Sequence, residues 1–266
     1  MALKEVDSKI YQQVRKFLNA FMHLDLGKCY LQVLNIPNDD LKLQTNFKLM
    51  LCGFSGQGKT EWIISLLKNA SKMMVDSFQE VIYCIPINCG HLPSVKHTID
   101  KMKEIHENLT VYEGLLIEVE SIFKPNKDSD HCLIIYDDLY TEIINSRPFS
   151  HFVIHGSRHH NTSLIVTTQN YFESSKYALT VRRQFTYLAL FFPPADRQML
   201  LTLGRILFPG NSNCLMNCFK KLLPHTTSPF DHYILIDINP KSPLPYGMRL
   251  RANVFSQTPY FFITED

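Results

Sequence analysis

Gly53-Phe54-Ser55-Gly56-Gln57-Gly58-Lys59-Thr60 is the stretch on which the fold turns. It satisfies G-x-x-x-x-G-K-[ST] at every position, and both flanks agree with it. Upstream, Phe47-Lys48-Leu49-Met50-Leu51-Cys52 is a short, mostly apolar run that reads as a buried strand. Downstream, Trp62, Ile63, Leu66, Leu67 and Ala70 recur at helical spacing between Lys59 and about Met73. Strand, glycine-rich turn and helix in that order make a phosphate loop. Glycines let the backbone curl so that successive N–H groups converge on phosphate oxygens. The helix start adds its positive dipole end at the same place. Gly53, Ser55, Gly56, Gln57, Gly58, Lys59 and Thr60 are the expected cradle. Lys59 would reach the β- and γ-phosphates of ATP, and Thr60 would offer a hydroxyl to Mg²⁺.

A phosphate loop alone does not separate ATPases from kinases or GTPases. Cys132-Leu133-Ile134-Ile135-Tyr136-Asp137-Asp138 narrows the choice, because it is an apolar strand ending in two acids. Asp137 stands where a Walker-B carboxylate holds Mg²⁺. Asp138 stands where a second carboxylate orients the attacking water. The plain alternative is a pair of acids capping the next helix. No N-K-x-D base-reading motif of a GTPase occurs, and no Arg-rich lid of a small-molecule kinase is recognisable. Ser163-Leu164-Ile165-Val166-Thr167-Thr168-Gln169 is a third strand, and Gln169 at its tip is the expected γ-phosphate sensor. Arg158, in Gly156-Ser157-Arg158-His159-His160-Asn161, is a candidate arginine finger toward a neighbouring subunit. A solvated arginine or a DNA contact are the alternatives for it. His151, His155, His159 and His160 lack a nearby carboxylate or thiol to complete a metal site.

The rest of the chain fits an α/β domain. Strands are expected at 80–87, 109–113, 186–192, 232–237 and 249–255. Helices are expected over 95–106 with Ser94 as N-cap, 115–123, from the acids to about 154, 195–207 and 213–223. Strands and helices in alternation predict a mainly parallel sheet with helices on both faces. Residues 1–46 read differently, as an N-terminal helical extension with an amphipathic helix over 6–21, ahead of a P-loop ATPase domain at 47–266. The 266 residues are 45% hydrophobic and 20% charged, which excludes a disordered, collagen-like or coiled-coil chain. A net charge of +2 leaves nucleic-acid binding to a local patch rather than to bulk charge. Lys124-Pro125-Asn126-Lys127 and Arg182-Arg183 are basic enough to nominate. No apolar run reaches the ~18–20 residues of a membrane span. The start, Met-Ala-Leu-Lys-Glu-Val-Asp, has no secretory leader pattern, and seven cysteines without a C-x-x-C pair fit buried free thiols.

Walker A, Asp-Asp Walker B, Ser-Arg-His-His-Asn and Thr-Thr-Gln-Asn-Tyr, in that order, resemble the viral genome-packaging ATPases of the FtsK–HerA superfamily. The similarity is to the poxvirus-type enzymes and their relatives in Polinton (Maverick) elements, and it covers about residues 47 to 255. Tyr233-Ile234-Leu235-Ile236-Asp237 and Arg249-Leu250-Arg251 look like that family's terminal strands. The resemblance implies a RecA-like additional-strand (ASCE) core with extra C-terminal strands. It implies an ATPase that drives double-stranded DNA into a capsid as a homo-oligomeric ring, pentameric or hexameric, inside the cell or associated with the virion. By position, Lys59 and Thr60 would bind phosphate and Mg²⁺, Asp137 would be the metal-side carboxylate, and Asp138 would activate water. Gln169 would be the sensor and Arg158 the trans finger, with Arg182, Arg183 and Arg197 as competitors. Asp138 departs from the Glu of many relatives. The competing reading is a P-loop NTPase without motor function: a remodeller of single strands, or a nucleotide-dependent capsid assembly factor.

Overall fold

The computed structural model describes residues 29–34, 36, 38–123, 130–157, 161–226, 228–244 and 246–264. Its strands are β1 (Cys29–Val33), β2 (Lys48–Cys52), β3 (Phe78–Ile85), β4 (Leu109–Glu113) and β5 (His131–Tyr136). They continue as β6 (Thr162–Thr168), β7 (Tyr187–Phe191), β8 (Tyr233–Asp237), β9 (Leu250–Ala252) and β10 (Tyr260–Thr264). All join one ten-stranded sheet in the order β1-β10-β9-β8-β7-β2-β6-β5-β3-β4. Every pairing from β7 through β4 is parallel. Every pairing from β7 out to β1 is antiparallel. The strand β6 lies between the phosphate-loop strand β2 and the acid-bearing strand β5. That insertion is the additional-strand arrangement expected from the sequence.

Helices cover both faces of the sheet. Successive strand residues point to opposite faces, so β2 sends Leu49 and Leu51 to one core and Met50 and Cys52 to the other. The first core is closed by α1 (Lys59–Lys68), through Trp62, Ile63 and Leu66, and by α3 (Pro93–Ile105), through Met102. A short helix, α2 (Ala70–Met73), follows α1 after a break at Asn69. The second core takes Ile143 of α4 (Tyr140–Asn145), Phe149 of α5 (Arg147–His151), Val181 of α6 (Ala178–Arg182), Leu200 and Leu203 of α7 (Arg197–Leu207), and Leu215 and Phe219 of α8 (Cys214–Leu222). Cys214 and Cys218 are fully buried on α8, as core thiols.

Three local expectations are corrected. Helix α3 starts at Pro93 rather than after a Ser94 cap, and Leu92 stands at its N-cap without a side-chain bond. Proline is pre-set for a first helical turn, where its missing N–H has no partner to lose. Residues 115–123 hold a single 3-10 turn, Val119–Ser121, rather than a helix. The late strands include β10, which the sequence reading did not place, paired to β1 along Cys29↔Thr264 through Val33↔Tyr260. The helix expected over residues 6–21 lies outside the described residues. Among the described residues, no helix is long and apolar enough to cross a membrane.

Candidate active site

The parallel strands β2, β5 and β6 end on the same side of the sheet, and that side carries the expected chemistry. Chain polarity explains it: each strand is followed by a turn at its carboxyl end, where ligands of open α/β sheets bind. After β2, Gly53 donates its N–H to Thr168 O at 3.0 Å, which ties the loop to the end of β6. A Cβ on Gly53 would stand 2.7 Å from Phe191 Cβ, so the loop passes β7 at a distance only glycine allows. Gly58 has φ +90°, in the left-handed region that glycine tolerates. Ser55 and Gly56 form the exposed tip. Gln57 braces the loop from inside. Its Oε1 accepts from Phe54 N–H at 2.6 Å, and its Nε2 donates to Phe192 O at 2.6 Å.

Lys59 is 7% exposed and donates its ammonium to Gly53 O at 2.7 Å and Phe54 O at 3.1 Å. Burial pulls that ammonium below its ordinary 10.5, and the charges of Asp138 and Asp137 oppose the pull. The field of both acids therefore reaches the lysine. Asp137 is gripped by three hydroxyls. Its Oδ2 accepts from Thr60 Oγ1 at 3.2 Å and from Tyr83 OH at 2.8 Å, and its Oδ1 accepts from Thr167 Oγ1 at 2.7 Å. Asp138 is exposed, with φ +56°. Its N–H donates to Thr167 Oγ1 at 2.9 Å.

Lys59, Thr60, Asp137 and Asp138 are thus brought together as the sequence spacing suggests. Gln169 is exposed at the end of β6 and lines a cleft of about 150 Å³ with Gly53, Phe54, Asn170, Pro193, Asp196 and Met199. Arg158 and the Lys124–Lys127 segment lie outside the described residues. Arg182, a competing candidate, is held within this chain: it donates to Tyr171 O at 2.7 Å and lies over the Tyr171 and Phe172 rings. Arg183 and Arg197 are exposed. The His151 and His155 rings lie 5.0 Å apart, tilted at 50°, and no group of three or more His, Cys, Asp or Glu side chains able to hold a metal occurs among the described residues.

Tyr83, Thr167 and Gln57 hold the site together, and the sequence reading gave them no such role. Tyr83 had a signal. It shares strand parity with Val81 and Ile85, on the face that α1 covers, and a phenol there must find a polar partner. Burial and the Asp137 charge push its hydroxyl pKa up, so it stays a donor. Thr167 carried the same signal, two residues after Ile165 on that face.

Comparison with known proteins gives three findings. The family model described as Poxvirus A32 protein matches residues 37–192. Proteins named DNA packaging protein OPG160 from Variola virus and from Vaccinia virus (strain Western Reserve) are 27% identical over 130 residues, covering 48% of this chain and 48% of each relative. The match to OPG160 of Monkeypox virus covers 43% of that relative, so the chain spans about half the length of the curated relatives it matches. Among solved structures, the genome packaging NTPase B204 from Sulfolobus turreted icosahedral virus 2 in complex with AMPPCP is 15% identical. It covers 73% of this chain and 93% of that one, with a TM-score of 0.48.

Proposed function

We infer the function from one premise: the chain belongs to the Poxvirus A32 protein family. The reading is an ATPase subunit that drives double-stranded DNA into a capsid. One observation carries the chemistry: Thr60 of the phosphate loop donates to Asp137 Oδ2 at 3.2 Å at the end of β5, beside Asp138, and the charges of both acids act on Lys59. The names of the DNA packaging relatives support the DNA substrate.

Thr60 and Asp137 present a hydroxyl and a carboxylate oxygen 3.2 Å apart, hard donors of the kind Mg²⁺ takes beside phosphate oxygens. They would hold that ion, which neutralises charge on the transferred phosphoryl group. The chain's own groups do the remainder. Backbone N–H groups of residues 53–60 cradle the phosphates. Lys59 leaves the Gly53 and Phe54 carbonyls for the β- and γ-oxygens. Asp138, exposed beside them, orients the attacking water and accepts its proton as the bond to the leaving ADP breaks. Gln169 contacts the γ-phosphate from the tip of β6. Removing that phosphate changes the contacts across a subunit interface, where Arg158, Arg183 or Arg197 reaches the neighbour's nucleotide, and DNA-gripping loops move with the interface. The grip is on backbone phosphates, so it is sequence-tolerant and weakened by salt.

The test is ATP turnover with and without long double-stranded DNA, on wild type beside Lys59→Ala. The expected result is DNA-stimulated turnover that Lys59→Ala abolishes. Lysine-dependent turnover indifferent to DNA in a confirmed oligomer would replace the motor with a non-motor NTPase.

A further inference from the structure

We propose that Thr167 is a positioning residue that sets the two acids of the site against each other through a single hydroxyl. The proposal rests on the ATPase reading above and names a part of that site. A threonine hydroxyl has one proton and two lone pairs. Here the proton goes to Asp137 Oδ1 at 2.7 Å, and a lone pair receives the Asp138 N–H at 2.9 Å. The direction of both bonds is therefore fixed. A main-chain N–H has no lone pair, so the hydroxyl must accept from it, and the proton is left for the carboxylate.

Strand register puts Thr167 in that place. Tyr136 pairs with Val166 between β5 and β6, so position 137 falls opposite position 167. Leu51 pairs with Thr167 on the other side, which places the hydroxyl between the acid strand and the phosphate-loop strand. The side chain is fully buried. The backbone of Asp138 supplies the reason for a clamp. Its φ of +56° is a left-handed conformation that costs a non-glycine residue about 1 kcal/mol or more, although Asp tolerates it better than most. Strain of that kind persists only where the surroundings hold it. The bond to Thr167 holds it, and the turn it stabilises leaves the Asp138 carboxylate exposed while Asp137 stays gripped. A valine would fill the same space and lose both bonds.

The test compares Thr167→Val with Thr167→Ser. Steady-state ATP turnover gives kcat and KM, and hydrogen exchange at the Asp138 amide reads the clamp without turnover. Thr167→Val is expected to lose at least about tenfold in kcat with KM changed by less than about threefold, the pattern of a lost transition-state arrangement. Its Asp138 amide is expected to exchange faster. Thr167→Ser, which keeps the hydroxyl, is expected to keep kcat within about threefold and to preserve the slow amide. A folded Thr167→Val with a smaller kcat loss, an unchanged Asp138 amide, or a serine variant as impaired as the valine one each overturn the proposal. If Thr167→Val does not fold, Thr167→Ala takes its place under the same criteria. A wild type without lysine-dependent turnover would sink the ATPase reading instead, and amide exchange would still decide the clamp.

Discussion

Tyr83→Phe removes one oxygen from the site and leaves every carbon in place. Tyr83 is 2% exposed, and its hydroxyl donates to Asp137 Oδ2 at 2.8 Å. A hydrogen bond to a charged acceptor contributes about 1.5–3 kcal/mol. Two facts pull the expected loss to the lower end. Asp137 is half-buried, so water can replace part of the lost donor, and Thr60 still serves the same oxygen. The phenylalanine ring also leaves no polar atom unsatisfied. The expected destabilisation is about 1–2 kcal/mol at pH 7. For a chain of this size that lowers the melting temperature by about 2–8 °C. Urea denaturation checks it: the midpoint should fall while the slope stays constant, because the surface exposed on unfolding is unchanged. A midpoint shift worth less than about 0.5 kcal/mol would refute the claim that the phenol grips the carboxylate.

Two further outcomes concern Lys59 in the phosphate loop and Gly204 in α7. Burial holds the Lys59 ammonium below 10.5 in the folded chain, so between the folded value and 10.5 the unfolded chain binds the extra proton. Wild-type stability therefore gains on Lys59→Met as pH rises through that window, and denaturation midpoints from pH 7 to 10.5 should converge or cross in favour of wild type; a constant difference sinks the burial argument. Gly204 sits inside α7, where Ala normally stabilises by about 1 kcal/mol. Its Cβ would meet Ser212 O at 2.3 Å, and overpacking of that order costs about 1–3 kcal/mol, so Gly204→Ala should lower the melting temperature; a rise would mean that the Ser212 loop gives way freely.

The parts of the fold that sequence made legible are those with local cause. Gly53 to Thr60 announces its own conformation, because each glycine answers a steric demand inside eight residues. The apolar runs of β2, β5 and β6 are buried on both faces and read as continuous hydrophobic strands. What stayed hidden depends on distant partners. β10, Tyr260-Phe261-Phe262-Ile263-Thr264, carries the aromatic and β-branched composition of a strand, while β1 finds its place only by pairing beside it. Tyr83 and Thr167 each signal a buried polar group, but their shared partner Asp137 emerges only when the strand order brings β3, β5 and β6 together and aligns their ends. The motif gives Gln57 a place in the phosphate cradle, and only the closeness of Phe192 gives its amide a second, bracing bond. Sequence therefore pointed to Lys59, Thr60, Asp137 and Asp138, while Tyr83, Thr167 and Gln57, which bond to that loop and those acids, emerged from register.

The pairing of β1 with β10 also governs the order of events during synthesis. Every strand of the parallel half, from β2 through β7, is translated before β8 begins. The phosphate loop and its acids can therefore assemble while the C-terminal strands are still within the ribosome. Among the described strands β1 is made first and waits longest, because β10, its neighbour in the sheet, is made last of them. Closing so long a loop adds a slowly growing entropic cost, and contacts of high sequence separation slow folding. The pairing of β1 with β10 thus waits until residues 260–264 have been made, and it becomes the step that closes this part of the sheet.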